Sequence, residues 1–140
     1  MLENQPAWRP HRRSKAALGG SPDRLLKDLE WLGLLFESLV IRDLRVLVQA
    51  LDGEVFHYRD NYGVEVDAIV QLRDCRWGAI EVKLGLLQVE AAAAGLQRFR
   101  HQIDTRRIGD PAFLAVICGS GYAYRRADGI AVLPVGALGP

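Results

Sequence analysis

This sequence has no long apolar segment. None of its runs reaches the roughly 18 uninterrupted apolar residues that a membrane span needs, and the stretch before Lys15 lacks the apolar centre of a secretory signal. We therefore expect a cytoplasmic protein with no membrane partner.

Cysteine and charge of one sign are also scarce. Cys75 and Cys118 stand far apart, in no Cys-x-x-Cys or Cys/His spacing, so neither a zinc site nor a disulfide framework is indicated. The formal net charge is only +1, whereas dedicated nucleic-acid binders are clearly basic. Any contact with phosphate must therefore come from a local cluster of basic residues.

The remaining composition is that of one ordinary globular domain. The chain has 140 residues, of which 49% are hydrophobic and 25% charged, and a chain of this size is expected to form one core. Residues 1–20 are basic, show little apolar periodicity and end in Gly19-Gly20, so we expect a poorly ordered leader. We expect the domain itself to cover residues 21–140.

Apolar residues between positions 25 and 51 recur at spacings of three and four, which predicts helix. Ser21-Pro22-Asp23 is a favourable helix start, because Ser caps free backbone N–H groups and Pro suits the first helical position. Gly33 is a candidate break that would divide the run into two helices. Gly53 is typical of a position just past a helix end.

Three β-prone segments follow, at residues 54–59, 64–70 and 77–84, and turn residues between them predict an antiparallel meander. A helical period over 88–103 and an unbroken apolar run over 112–118 predict a β-helix-β crossover. Residues 122–134 are typical of a closing hairpin. The expected fold is α/β, a mixed central sheet flanked by helices in the order α-β-β-β-α-β plus the hairpin.

Two of these strands place charged residues close together. Side chains alternate along a strand, so Glu81 and Lys83 share one face, and so do Glu65 and Asp67. Antiparallel pairing would then make Asp67 a near neighbour of Glu81. On the same rule, the opposite face of the earlier strand carries the apolar residues Val64, Val66 and Ala68.

Two acids brought so close repel each other, and Mg²⁺ or Mn²⁺ is a common reason for assembling oxygen ligands in this way. A bound ion would activate a water and neutralise charge on a phosphate, while Lys83 orients or deprotonates that water or stabilises the transition state. Phosphodiester hydrolysis would use all of these parts. The alternative is a structural ion-pair network in which Lys83 neutralises Glu81, Asp67 or both.

Glu37 in its helix, Asp67 in its strand and the segment Glu81-Val82-Lys83 resemble the PD-(D/E)xK nuclease-like arrangement. The resemblance implies a restriction-endonuclease-like core with Glu37, Asp67, Glu81 and Lys83 as catalytic residues. Asp67 and Glu81 would hold metal, Glu37 would support a metal or a water, and Lys83 would assist the nucleophile. Gln97 is the candidate for a glutamine that some relatives add on the following helix.

A closer resemblance covers about residues 17–140. The segments 32–40, 58–60, 65–67 and 80–83 resemble the uncharacterised C-terminal domain of bacterial and archaeal AAA-type ATPases. No G-x-x-x-x-G-K-[ST] phosphate loop is present, so we expect no ATP binding and interpret the chain as a truncated or free-standing tail. The implied partners are an ATPase domain or a protein client.

Three functions are therefore compatible with the sequence. The first is a metal-dependent nuclease acting on DNA or RNA, the second a non-catalytic interaction or recognition module, and the third a fragment with no independent role. Arg59, Arg98 and Arg100 are weak candidates for phosphate contacts, although an Arg-rich helix end is also typical of a solvated face. We expect His57 and His101 to be ordinary polar residues rather than metal ligands. Four aromatic residues are expected to pack in the core or at its edge rather than to stack on bases: Trp31, Trp77, Tyr122 and Tyr124.

Overall fold

The computed structural model describes residues 8–10 and 28–139, which form a seven-stranded mixed sheet with helices on both faces. The helices are α1 (Leu29–Gln49), α2 (Val89–Gln102) and α3 (Thr105–Ile108), with short 3₁₀ segments at Leu86–Gln88 and Val135–Ala137. The strands are β1 (Trp8–Pro10), β2 (Gly53–Arg59), β3 (Glu65–Leu72), β4 (Trp77–Lys83), β5 (Phe113–Cys118), β6 (Tyr124–Arg125) and β7 (Ala131–Pro134).

The sheet order is β1-β2-β3-β4-β5-β7-β6. Strands β1 to β4 pair antiparallel, β5 runs parallel to both β4 and β7, and β6 closes the sheet antiparallel to β7. This confirms the predicted α/β fold, with its meander, crossover and closing hairpin. The short elements β1 and α3 were not predicted, and the rest of the predicted leader and the predicted helix start at Ser21 lie outside the described residues.

Helix α1 is continuous over 21 residues, so Gly33 does not divide it. The helix begins after Asp28, whose Oδ1 accepts the backbone N–H of Trp31 at 3.2 Å. A glycine inside a helix costs only about 1 kcal/mol, and the apolar stripe beyond it outweighs that cost. The stripe consists of Phe36, Val40, Ile41, Leu44 and Val48.

The sheet separates two apolar cores. On one face, α1 packs against β-strand residues that include Ile80, Val82 and Ile117. On the other face, α2 packs against residues that include Trp77 and Val116. Trp77 is therefore a core residue, as predicted.

The predicted packing role is wrong for Trp31 and Tyr122, which are both exposed. Trp31 lies in the first turn of α1, before the helix reaches the sheet, and Tyr122 lies in the loop before β6. Within residues 8–10 and 28–139, no helix combines the length and apolar character needed to cross a bilayer.

Strand β3 contains one residue more than its partner β2 in the middle of their ladder. Phe56 lies opposite Ile69 and Tyr58 opposite Val66, so Asp67 and Ala68 together face the single residue His57. Such a bulge breaks the alternation of faces and re-aims side chains. Val66 therefore packs in the α2-side core and Ala68 in the α1-side core, and the prediction that they share a face is wrong.

Candidate active site

The candidate site lies where β3 separates from β4. Pairing between these strands ends at Ala68 opposite Ile80, whereas β4 continues to pair with β5 as far as Lys83. Beyond Ile80, the β3 side of β4 would be left with a free backbone donor. The Oδ2 atom of Asp67 accepts that donor, the N–H of Val82, at 2.8 Å. The bond ties the Asp67 carboxylate to β4 between Glu81 and Lys83.

Three predicted residues meet here. The Nζ atom of Lys83 lies 2.9 Å from Oε2 of Glu81 and 3.5 Å from Oδ2 of Asp67. Only 9% of the Glu81 side chain and 14% of the Asp67 side chain are exposed. Buried carboxylates are costly unless they are paired, and Lys83 supplies the pairing charge.

Burial raises the pKa of Glu81 to about 8, and the neighbouring charge of Asp67 adds to the effect, while Lys83 opposes it. Burial also raises the pKa of Asp67, although Lys83 and the Val82 N–H act in the opposite direction. Burial by itself lowers the pKa of Lys83, but the two acids outweigh it and the net direction is upward.

Glu37 approaches the site from α1, on the opposite side of the sheet from α2. It is half-buried, and its charge contributes to raising the pKa of Asp67. Glu81 and Lys83 instead line a cavity toward α2. In the part of the chain that the structure describes, no three His, Cys, Asp or Glu side chains are arranged to hold a metal ion. Of the three acids predicted to converge, Asp67 and Glu81 line the cavity and Glu37 does not.

A cavity of about 580 Å³ opens beside these acids. Its volume lies within the roughly 300–1,000 Å³ typical of ligand sites. One wall is the turn between β2 and β3, with Tyr62, Gly63 and Val64. The other wall is Gln88, at the end of the 3₁₀ segment that precedes α2, and one face of α2 with Ala91, Ala92, Gly95 and Arg98.

The weaker candidates for substrate contact and support differ in whether they line the cavity. Arg98 lines the cavity, whereas Arg59 and Arg100 do not. The guanidinium group of Arg100 lies 3.9 Å from Asp110, and Arg59 is the backbone partner of Glu65 in the β2–β3 ladder. Gln97 is half-buried on α2 but does not line the cavity, because the helix face that does so runs through positions 91, 92, 95 and 98.

Two residues at the cavity, Tyr62 and Gln88, were missed from the sequence. The helical spacing from Gln88 to Arg98 across small residues was an available signal for Gln88. Tyr62 carried no such signal, since a turn tyrosine has no periodic pattern.

Comparisons with known proteins give one family and one structural likeness. The family described as "Domain of unknown function (DUF4143)" matches residues 32–138, and no curated protein matches the chain. A chain in the refined half-complex from the tetradecameric assembly of Thermococcus gammatolerans McrB AAA+ hexamers with bound McrC is similar, with 12% identity and a TM-score of 0.47. The similarity covers 87% of this chain and 37% of that one, so this chain spans little more than a third of its length.

Proposed function

This chain belongs to the DUF4143 family, and we propose that its Asp67, Glu81 and Lys83 site hydrolyses phosphodiester bonds in nucleic acid with a divalent metal ion, on a restriction-endonuclease-like core. One observation carries the proposal. The buried carboxyls of Asp67 and Glu81 lie 3.5 and 2.9 Å from the ammonium group of Lys83, at the point where the cavity opens to solvent. An ion pair with a purely structural role needs no such opening.

The donor set suits a hard cation. Mg²⁺ is commonly bound through one or two carboxylates, with waters and substrate phosphates completing its shell, so Asp67 and Glu81 are sufficient protein ligands. Burial raises the pKa values of both acids because it disfavours their charged forms, and a bound cation would offset that cost. When bound, the ion would lower the pKa of a water and neutralise charge that develops on the phosphate.

The chain's own residues supply the rest of the mechanism. The Val82 N–H holds Asp67 in place, so the carboxylate is oriented before any ligand arrives. Lys83 now donates to Glu81 at 2.9 Å. Asp67 and Glu81 would hold the cation, and the ammonium group of Lys83 would orient a water or stabilise a phosphate oxygen. Glu37 supports the site by keeping negative charge near Asp67.

The second candidate is a non-catalytic recognition module, one that in ATPase-linked proteins would bind a client. The observation that favours it is the contact of Lys83 with both carboxylates, at 2.9 and 3.5 Å, because this contact already provides charge pairing without a metal. In that case the site is an ion-pair network that holds the ends of β3 and β4 together. Metal binding separates the two candidates.

The test combines calorimetric titration with Mg²⁺ and Mn²⁺ and cleavage assays on labelled single-stranded DNA, duplex DNA and RNA. We expect wild type to bind the ions and cut at least one substrate, and Asp67→Asn to lose both activities. Lys83→Ala should lose cleavage but keep metal binding. Asp74→Asn is the matched control, since this exposed acid pairs with Arg76 in the β3–β4 turn. A folded wild type that binds neither ion and cuts no substrate would reject the proposal.

A further inference from the structure

The cavity has an aromatic wall that the proposed chemistry does not use. Tyr62 lines the cavity although 88% of the residue is exposed. Large aromatic residues contribute most when they are covered, and nothing in the described residues covers this ring. An open aromatic face beside a polar site is the surface on which a nucleic-acid base stacks.

The backbone that carries Tyr62 is held firmly. Asp60 Oδ1 accepts the N–H groups of Tyr62 and Val64, at 2.8 and 2.9 Å. The other oxygen of Asp60 accepts Gln102 Nε2 from α2 at 2.7 Å. Gly63 has φ +85, a conformation that glycine adopts without strain. The turn is therefore tied to the opposite wall of the cavity, so its backbone needs little ordering when a ligand binds.

Arg98 provides a cation on that opposite wall. Within residues 28–139 it forms no ion pair, unlike Arg100 and Arg126. A guanidinium group suits the oxygens of a phosphate. An aromatic face, a guanidinium group and a recessed acid pair thus surround one cavity, which matches the base, the neighbouring phosphate and the scissile bond of a polynucleotide strand.

The depth of the acids limits which strands can react. Asp67 and Glu81 are 14% and 9% exposed in their side chains, so a scissile phosphate must enter the cavity to reach them. In a duplex the base faces are stacked inside, where they are not available to Tyr62. An unpaired strand is flexible and presents both its phosphates and its base faces.

We propose that the site takes single-stranded nucleic acid, with a base stacked on Tyr62 and an adjacent phosphate on Arg98; this inference rests on the proposed function and names its substrate class. Stacking on Tyr62 does not distinguish DNA from RNA, so the proposal covers single strands of either sugar type.

The test is fluorescence anisotropy in Ca²⁺ with a fluorescein-labelled oligothymidylate and a hairpin duplex of equal length. Tyr62→Ala should weaken oligothymidylate binding by about five- to hundredfold, the range of one stacked base. Tyr62→Phe keeps the ring and should bind within about twofold of wild type. Tyr124→Ala is the matched control, because this partly exposed tyrosine lies in β6 at the other edge of the sheet.

Wild-type affinity in Tyr62→Ala, or tighter binding of the duplex than of the single strand, would overturn the assignment. Cleavage in Mn²⁺ is measured separately, so that the two proposals can fail independently. Tyr62-dependent binding without cleavage would reject hydrolysis but support the single-strand site. Cleavage that is indifferent to Tyr62→Ala would support hydrolysis and remove Tyr62 from substrate recognition.

Discussion

The carboxylate of Asp67 accepts the backbone N–H of Val82 across the end of the β3–β4 ladder, at 2.8 Å. A side chain therefore completes the hydrogen bonding that the separating backbones no longer provide. The same carboxylate lies 3.5 Å from the Lys83 ammonium group. Asp67 thus belongs both to the sheet and to the candidate site, and substitutions can distinguish the two roles.

Asp67→Ala and Asp67→Asn should differ in stability. Alanine leaves the buried Val82 N–H without an acceptor, which costs about 1–3 kcal/mol, whereas the asparagine oxygen can still accept it. In urea denaturation, we expect the free energy of unfolding to fall clearly in Asp67→Ala and to change less in Asp67→Asn. Equal losses in both variants would mean that the hydrogen bond contributes nothing beyond the charge.

The stability of the metal-free protein should depend on the protonation of Glu81. Its pKa is raised from 4.5 to about 8, so the folded protein binds more protons than the unfolded chain between these values. The free energy of unfolding should therefore fall as pH rises through this window. Glu81→Gln resembles the protonated form and should flatten the fall. Urea denaturation in EDTA across this range is the measurement, and an unchanged slope in the variant would contradict the assignment.

Lys83→Met keeps the length of the side chain but removes its charge. In EDTA we expect a loss of stability below the roughly 3–5 kcal/mol of a fully buried pair, because 29% of the Lys83 side chain is exposed. The loss should grow as pH rises and both acids ionise. Added Mg²⁺ should recover part of it if Asp67 and Glu81 bind the ion. Identical melting temperatures with and without Mg²⁺ would argue against metal binding at this pair.

Gly33→Ala should stabilise α1 by about 1 kcal/mol, the difference in helix propensity between the two residues. A Cβ atom at this position meets nothing within 4 Å, so no clash offsets the gain. Gly53→Ala is a useful contrast, since its Cβ would lie 2.8 Å from the backbone oxygen of Gln71. In thermal denaturation, the melting temperature should rise for Gly33→Ala and fall for Gly53→Ala. The opposite order would contradict the helix-propensity gain at Gly33 and the close contact at Gly53.

Long periodic segments were predictable and short or irregular ones were not. The apolar period of α1, the alternating meander and the buried run of β5 each extend over enough residues to indicate their type. Strand β1 has three residues and α3 has four, too few to show a period. The predicted break at Gly33 was wrong because the helix-propensity cost of one glycine is smaller than the stabilisation from packing the apolar stripe that follows it.

The site was predictable where it depends on neighbours in sequence. Glu81 and Lys83 share a face because they are two positions apart in one strand, and Asp67 meets them because a short turn joins the two strands. Gln97 was predicted from the family resemblance and Arg59 as a weak phosphate contact, and neither lines the cavity, which has Gln88 and Tyr62. Which residues line it depends on how α2 and the β2–β3 turn pack, and no local pattern encodes the place of Tyr62.

The sequence by itself determined the order of the elements and the pairing of Glu81 with Lys83, because alternation along a strand and apolar periodicity are local properties of the chain. Only the tertiary structure decided the bulge at Asp67 and Ala68, the approach of Glu37 from the other face of the sheet, and the position of Tyr62 across from Arg98. These features arise from contacts between segments distant in sequence, and their geometry is set by the packing of the whole sheet against α1 and α2.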